Sequence, residues 1–198
     1  WVWVLGRYIF DFYALLYPIL AAILSYSLCD VEYKNYGFRL LFTRPISKLT
    51  IYSSKIVFLL EINFISFLIG YLTFLLSGFA LDKLLPGYEF SSYNVNNLIA
   101  SYFSYLFIAL SAVSFIQYYL SLIFKSFVLP IGFASLMTIF CIIAQNKDYI
   151  YLIPYSTVWR LNYCFYSGII NFSKGEYVNI AYALFFVVIS FFVFIRKK

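Results

Sequence analysis

Five stretches of the chain are apolar for long enough to cross a bilayer, and polar segments separate them. A spanning helix needs about 20 mostly apolar residues. The stretches are residues 8–29, 55–79, 98–124, 127–144 and 178–195. Apolar residues surround each of them instead of forming one stripe, which is the pattern of helices in lipid. The first carries Asp11 near one end and Pro18 in the middle. The fourth has Pro130 in its first turn, where a missing N–H costs little. The pattern predicts an all-α, polytopic membrane protein with a single transmembrane domain over residues 1–198.

The segments between the spans set the orientation. Asp30 to Ser54 is polar and carries Lys34, Arg39, Arg44 and Lys48, with Lys55 at its edge. Lys125 lies in a tight link, and the chain ends Arg196-Lys197-Lys198. The opposite face has Arg7, Lys83, Lys147, Arg160 and Lys174, offset by Asp82, Glu89, Asp148 and Glu176. Excess Lys and Arg beside helix ends marks the cytoplasmic side. The 30–55 loop, Lys125 and the C-terminus are therefore assigned to the cytoplasm. Residues 149–172 are apolar and aromatic but broken by Pro154 and Arg160. Each half is too short to span, so two short interfacial or re-entrant helices are expected on the outer face.

Composition narrows the classes. Of 198 residues, 64% are hydrophobic and 11% charged, against about 25% charged in a soluble domain. The mean hydropathy is +0.89. An ordinary soluble enzyme, a disordered chain and a nucleic-acid-binding protein are excluded. The net charge of +6 belongs to loops at a membrane face, not to a nucleic-acid footprint. Three distant cysteines, Cys29, Cys141 and Cys164, have no metal-ligand spacing and read as packing residues.

Candidate chemistry is sparse. Histidine is absent, so zinc-protease and Ser-His-Asp patterns cannot be built. No phosphate-binding GxxxxGK[ST] loop occurs, and no two carboxylates sit at helical spacing within one span. No catalytic residue and no metal site is assigned, and energy for work must come from a partner or an ion gradient. Ionisable groups inside spans are functional candidates by default. Asp11 follows Arg7 by four residues and reads as half of a helical ion pair. Glu61 lies six residues past Lys55, about 9 Å into its helix. It is read as snorkelling to the surface or pairing with a neighbouring helix. Gln117 reads as an interhelical hydrogen bond.

The 30–55 loop is the most informative segment. Tyr33, Tyr36, Leu40 and Leu41 fall near one helical face, with Lys34 and Arg39 away from it. Pro45 stops that helix, because the residue before proline avoids the α region. Ser47 is a plausible N-cap for the helix that follows. The expectation is a short amphipathic helix on the cytoplasmic face, within residues 30–50, then a sharp turn and a span. An anchor at lipid headgroups is the plain alternative.

Glu32, the run Leu40-Leu41-Phe42-Thr43-Arg44-Pro45-Ile46-Ser47-Lys48, and then Tyr52 and Lys55 resemble the ABC-2 type permease family. They are most similar to the branch seen in bacterial lantibiotic and bacitracin immunity and export systems. The resemblance implies six membrane helices with both termini in the cytoplasm. The five spans found here start outside, so it also implies a preceding first helix. Residues 30–50 would be the coupling helix, with Glu32, Arg39, Arg44 and Lys48 contacting an ABC ATPase and Pro45 fixing the change of direction. Further partners implied are a second permease subunit and membrane lipid. ATP and Mg would be bound by the ATPase. The location implied is the bacterial inner membrane, and the cargo an amphiphile such as a peptide antibiotic or lipid-like compound. A gradient-driven carrier or channel that depends on Glu61 stays open beside this reading. So does a non-transporting immunity or scaffold protein. A lipid-modifying enzyme is the weakest alternative, for want of a catalytic constellation.

Overall fold

The computed structural model describes residues 2–34, 45–85, 96–166 and 174–197. Every regular element among them is helical. Helix α1 is Val2–Tyr33 and α2 is Lys48–Leu84. Helix α3 is Asn96–Ile123 and α4 is Val128–Ile143. A 3-10 turn at Asp148–Leu152 leads to α5, Pro154–Tyr166, and α6 is Lys174–Arg196. Stretches within α1, α2, α3 and α6 are long and apolar enough to cross a membrane. With the shorter apolar α4, they make the chain a polytopic integral membrane protein.

The helices run past the predicted ends where local chemistry lets them. Ser47 caps α2: its backbone is extended and its side chain accepts from Thr50 N at 3.1 Å. The helix therefore starts at Lys48 instead of at the hydropathy edge near 55. At 37 residues it is about 55 Å long at 1.5 Å per residue. A bilayer core is about 30 Å, so α2 must tilt or emerge from it. α4 is the opposite case. Its 16 residues make about 24 Å, short of the predicted 127–144 span, because Ala144 already leaves helical geometry.

The segment after α4 folds back along α6. Arg160 faces Glu176, and Thr157 hydrogen-bonds Asn179 at 3.0 Å, so α5 runs antiparallel to the start of α6. Asn179 is five residues into α6, and Pro154 lies three residues beyond Thr157. The N-terminus of α5 is therefore about 12 Å below the start of α6 by helical rise. Of the expected helical segment in residues 30–50, residues 35–44 lie outside the described residues.

α3 is the axis of the bundle and touches all five other helices. Most of its side chains between Ile99 and Leu122 are buried. One end of the core is aromatic. Phe10 stacks on Tyr102 at 3.8 Å between ring centroids and meets Phe165 edge-on at 4.6 Å. Gly70 on α2 lets this layer close: an added Cβ would meet Tyr13 Oη at 2.5 Å and Phe103 at 2.8 Å. Tyr13 Oη donates to Ser66 O at 2.6 Å, so its ring has little freedom to retreat. Gly70→Ala is expected to cost about 1–3 kcal/mol through overpacking. Thermal unfolding of the detergent-solubilised protein should show it as a lowered midpoint, and an unchanged midpoint would refute the tight α1–α2–α3 contact.

Candidate functional site

Three helices, α1, α3 and α6, end on the same face of the bundle, where α2 begins. A helix C-terminus presents carbonyls with no partner in the helix and the negative end of its dipole. That face therefore needs donors and positive charge. Side chains flanking the 30–55 loop supply both.

Lys55 on α2 serves α1. Its Nζ is 2.7 Å from Glu32 Oε1 and donates to Leu28 O at 2.7 Å. Both side chains are about nine-tenths buried, at 11% and 10% exposure. Glu32 Oε2 has no hydrogen-bond partner among the described residues, so the carboxylate depends on Lys55. Lys48, at the first turn of α2, donates to Ile195 O at 3.2 Å and so caps α6. Tyr33, the last residue of α1, shares its hydroxyl proton between Ser121 O and Leu122 O, each at 2.8 Å, and caps α3. Lys197 stands over the Tyr33 ring at 5.2 Å, a cation–π contact. Burial, with Lys125 adding repulsion, lowers the Lys197 pKa from its ordinary value.

The same face is tied to the core one turn deeper. Tyr52 Oη donates to Val187 O and meets Ser190 Oγ, both at 2.6 Å. Tyr118 Oη and Ser121 Oγ on α3 are buried here without a hydrogen-bond partner among the described residues. The outcome is a clamp. The segment before the loop and the segment after it are pinned to each other and to the ends of α3 and α6.

The predicted site residues divide in three. Glu32 and Lys48 come together in this clamp, where each has a partner within the chain. Pro45 sits in an exposed bend just before the Ser47 cap. Arg39 and Arg44 lie outside the described residues. The remaining three are dispersed. Asp11 is near the far end and accepts from Asn162 Nδ2 at 3.4 Å; the side chain of Arg7, its expected partner, is outside the described residues. Gln117 donates to Tyr155 Oη at 2.6 Å, an interhelical bond between α3 and α5. Glu61 is exposed on the outward face of α2, among Phe58, Phe64 and Ile65, which are exposed too.

Sequence reasoning counted Lys55 and Lys197 among the basic residues of this face and put Tyr33 on the apolar side of the loop helix, but gave none of the three a bonding partner. The available signal was that Glu32 and Lys55 are opposite charges at the two ends of one loop. It also missed a network in the membrane interior. Asn63 on α2 is bonded to Tyr17 on α1, accepts from Ser114 Oγ at 3.2 Å, and donates to Ser111 Oγ at 3.4 Å.

A family model described as "ABC-2 family transporter protein" matches residues 3–141, from the start of α1 almost to the end of α4. No curated protein and no solved structure matches the chain.

Removing one partner of a buried ion pair leaves a desolvated charge and typically costs about 3–5 kcal/mol. Lys55→Met is therefore expected to destabilise the solubilised protein strongly. Glu32→Leu together with Lys55→Met should recover most of the loss, because neither charge is then stranded. Thermal unfolding of both singles and the double measures this. Additive losses would show that the two side chains do not act as a pair.

Proposed function

The chain belongs to the ABC-2 family of transporter membrane proteins, and on that premise we propose that its 30–55 loop receives the stroke of an ABC ATPase. Membership makes it a permease component of an ABC transporter, with an ATPase as partner. The observation that carries the proposal is the clamp. Glu32–Lys55 and Lys48–Ile195 O join both flanks of the loop to α1, α2 and α6. A displacement of the loop is then passed to the spans as a body, which is the requirement for rocking or gating of packed helices.

In the proposed cycle ATP and Mg bind the partner ATPase, whose closure moves the loop. Arg39 and Arg44 make the polar contacts with that partner. Pro45 sets the direction in which the chain re-enters the membrane at the Ser47 cap. Glu32 and Lys48, which have partners inside the chain, transmit the movement. This differs from direct ATPase contact by these two residues and follows from their burial and bonding. The permease works as a dimer with a second copy or a close relative, its C-terminus in the cytoplasm of a bacterium. The cargo is an amphiphile such as a peptide antibiotic or a lipid-like compound, as in the lantibiotic and bacitracin branch.

The orientation has a second physical support. The C-termini of α1, α3 and α6 gather on the face that carries Lys48, Lys55, Lys125 and Lys197. Positive charge is favourable there for the helix dipoles as well as for topology. The gradient-driven reading rests on Glu61, which stands on the outward face of α2 away from the polar network around Asn63.

Arg44→Glu should lower ATP-driven export at least about tenfold, the loss of one charge-assisted contact, and Pro45→Ala should lower it by releasing the fixed change of direction, while the protein still inserts. Export assayed in proteoliposomes with the cognate ATPase reads this, with ATPase co-purification as the binding control. Full coupling in both variants, or transport without any ATPase, would overturn the assignment.

A further inference from the structure

Glu61 breaks the rule that the other polar groups of the spans obey. Ionisable side chains within a membrane almost always face the bundle interior or pair with one another. Glu61 is exposed on the outward face of α2. Its depth follows from its neighbour. Asn63, two residues on, accepts from Ser114 Oγ of α3 at 3.2 Å. Ser114 lies nine residues before Ile123, the end of α3, or about 14 Å by helical rise. Glu61 is therefore level with the interior network and well away from the Lys55 clamp. Snorkelling is open to the long chains of Lys and Arg, and a short carboxylate at that depth does not have it. Glu61 has neither a hydrogen bond nor an ion pair among the described residues. A bare carboxylate so placed calls for a cation.

The surroundings say which kind. Val57, Phe58, Phe64 and Ile65 lie three or four positions from Glu61 on the same helical face, and all four are exposed. Phe64 is held in place: its ring stacks on Phe67 at 5.7 Å between centroids and meets Phe107 of α3 edge-on at 6.3 Å. The carboxylate thus sits between two aromatic rings, one turn before it and one turn after it. A hard metal ion needs several further oxygens, and apolar side chains surround this one. An organic ammonium is attracted both by the carboxylate and by ring faces.

A second copy of the chain offers no countercharge at this level. Residues 10–30, 56–82, 98–123, 128–143 and 177–195 contain no Lys or Arg. A two-fold contact through this face would set Glu61 against its own counterpart, and like charges at one site disfavour each other.

We propose that this patch of α2 binds a lipophilic organic cation from the bilayer, with Glu61 as its countercharge and Phe58 and Phe64 as its walls. The apolar part of the ligand lies among the acyl chains beside Ile65 and Leu68. Nothing in the site requires the 30–55 loop to meet an ATPase.

Equilibrium dialysis of the full chain in phosphatidylcholine nanodiscs tests this, with empty nanodiscs as the blank. The probes are radiolabelled dodecyltrimethylammonium and its uncharged counterpart, dodecanol. The cation should bind saturably above the blank, and the alcohol should not. Glu61→Gln should weaken cation binding at least about tenfold, the loss of an ion pair outside bulk water. Phe64→Leu should weaken it about threefold, the scale of one cation–π contact. Both positions are exposed, so neither variant opens the core. Unchanged cation affinity in Glu61→Gln, or equal saturable binding of dodecanol, would overturn the proposal. So would the absence of cation binding to the parent chain together with a dimer that Glu61→Gln converts to monomers in native mass spectrometry, which would assign the face to a second copy. No ATPase takes part in this measurement, so its result stands apart from that of the coupling experiment.

Discussion

Hydrocarbon offers no hydrogen-bond partner, so a polar side chain inside the bilayer is stabilised by finding one within the protein. In this chain the solution is largely α3. Tyr33 caps its last carbonyls, and the Tyr17–Asn63 pair reaches its Ser111 and Ser114. Gln117 takes Tyr155 from α5, and Tyr102 Oη donates to Asn162 at 2.7 Å. Polar residues of α1, α2 and α5 are thus turned toward one axis. Their outward faces are mostly Phe, Leu and Ile, with Glu61 of α2 among them, and the inner positions of α3 are closed by small residues and aromatic rings. Each hydrogen bond is worth little alone, about 0.6 kcal/mol on average in a membrane protein. Their common direction is what fixes which face of each helix looks inward.

The clamp at the loop end follows from the same constraint, with helix geometry added. Antiparallel neighbours bring three C-termini to one face, and unmet carbonyls there need donors. Using loop-flanking lysines and a tyrosine for this purpose has a mechanical result. The groups that complete the helix ends also join the loop to the bundle. A loop tethered only by its own backbone could move without moving α6. With Lys48 on Ile195 O and Tyr33 on the end of α3, it cannot do so without breaking those bonds.

At the opposite end the segment after α4 makes a polar surface from a chain too short to span. Pro154 opens α5 at the helical position where a proline is tolerated. Helix α5 then carries Trp159 and Arg160 up beside the end of α4. A rigid-body movement that starts at the clamp would reach the far end through α3, which contacts each of the other five helices.

The sequence alone determined the all-helical, polytopic character, the order of the apolar helices, the basic face and the family resemblance; α4, expected as a fifth span, is a shorter apolar helix. Those depend on length, hydropathy and local motif, which are properties of contiguous residues. It also located the Ser47 cap, because an N-cap acts over three residues. It did not reveal that Lys55 belongs to Glu32, that Asn63 is a hub, or that Glu61 faces outward while Gln117 faces in. Apolar residues surround these helices, so periodicity carries no record of the inward face. Pairing across 23 residues of chain, or between Arg160 and Glu176 across two helices, is set by how the helices pack around α3. That packing is a tertiary property, and it alone decided which of the few polar groups would meet.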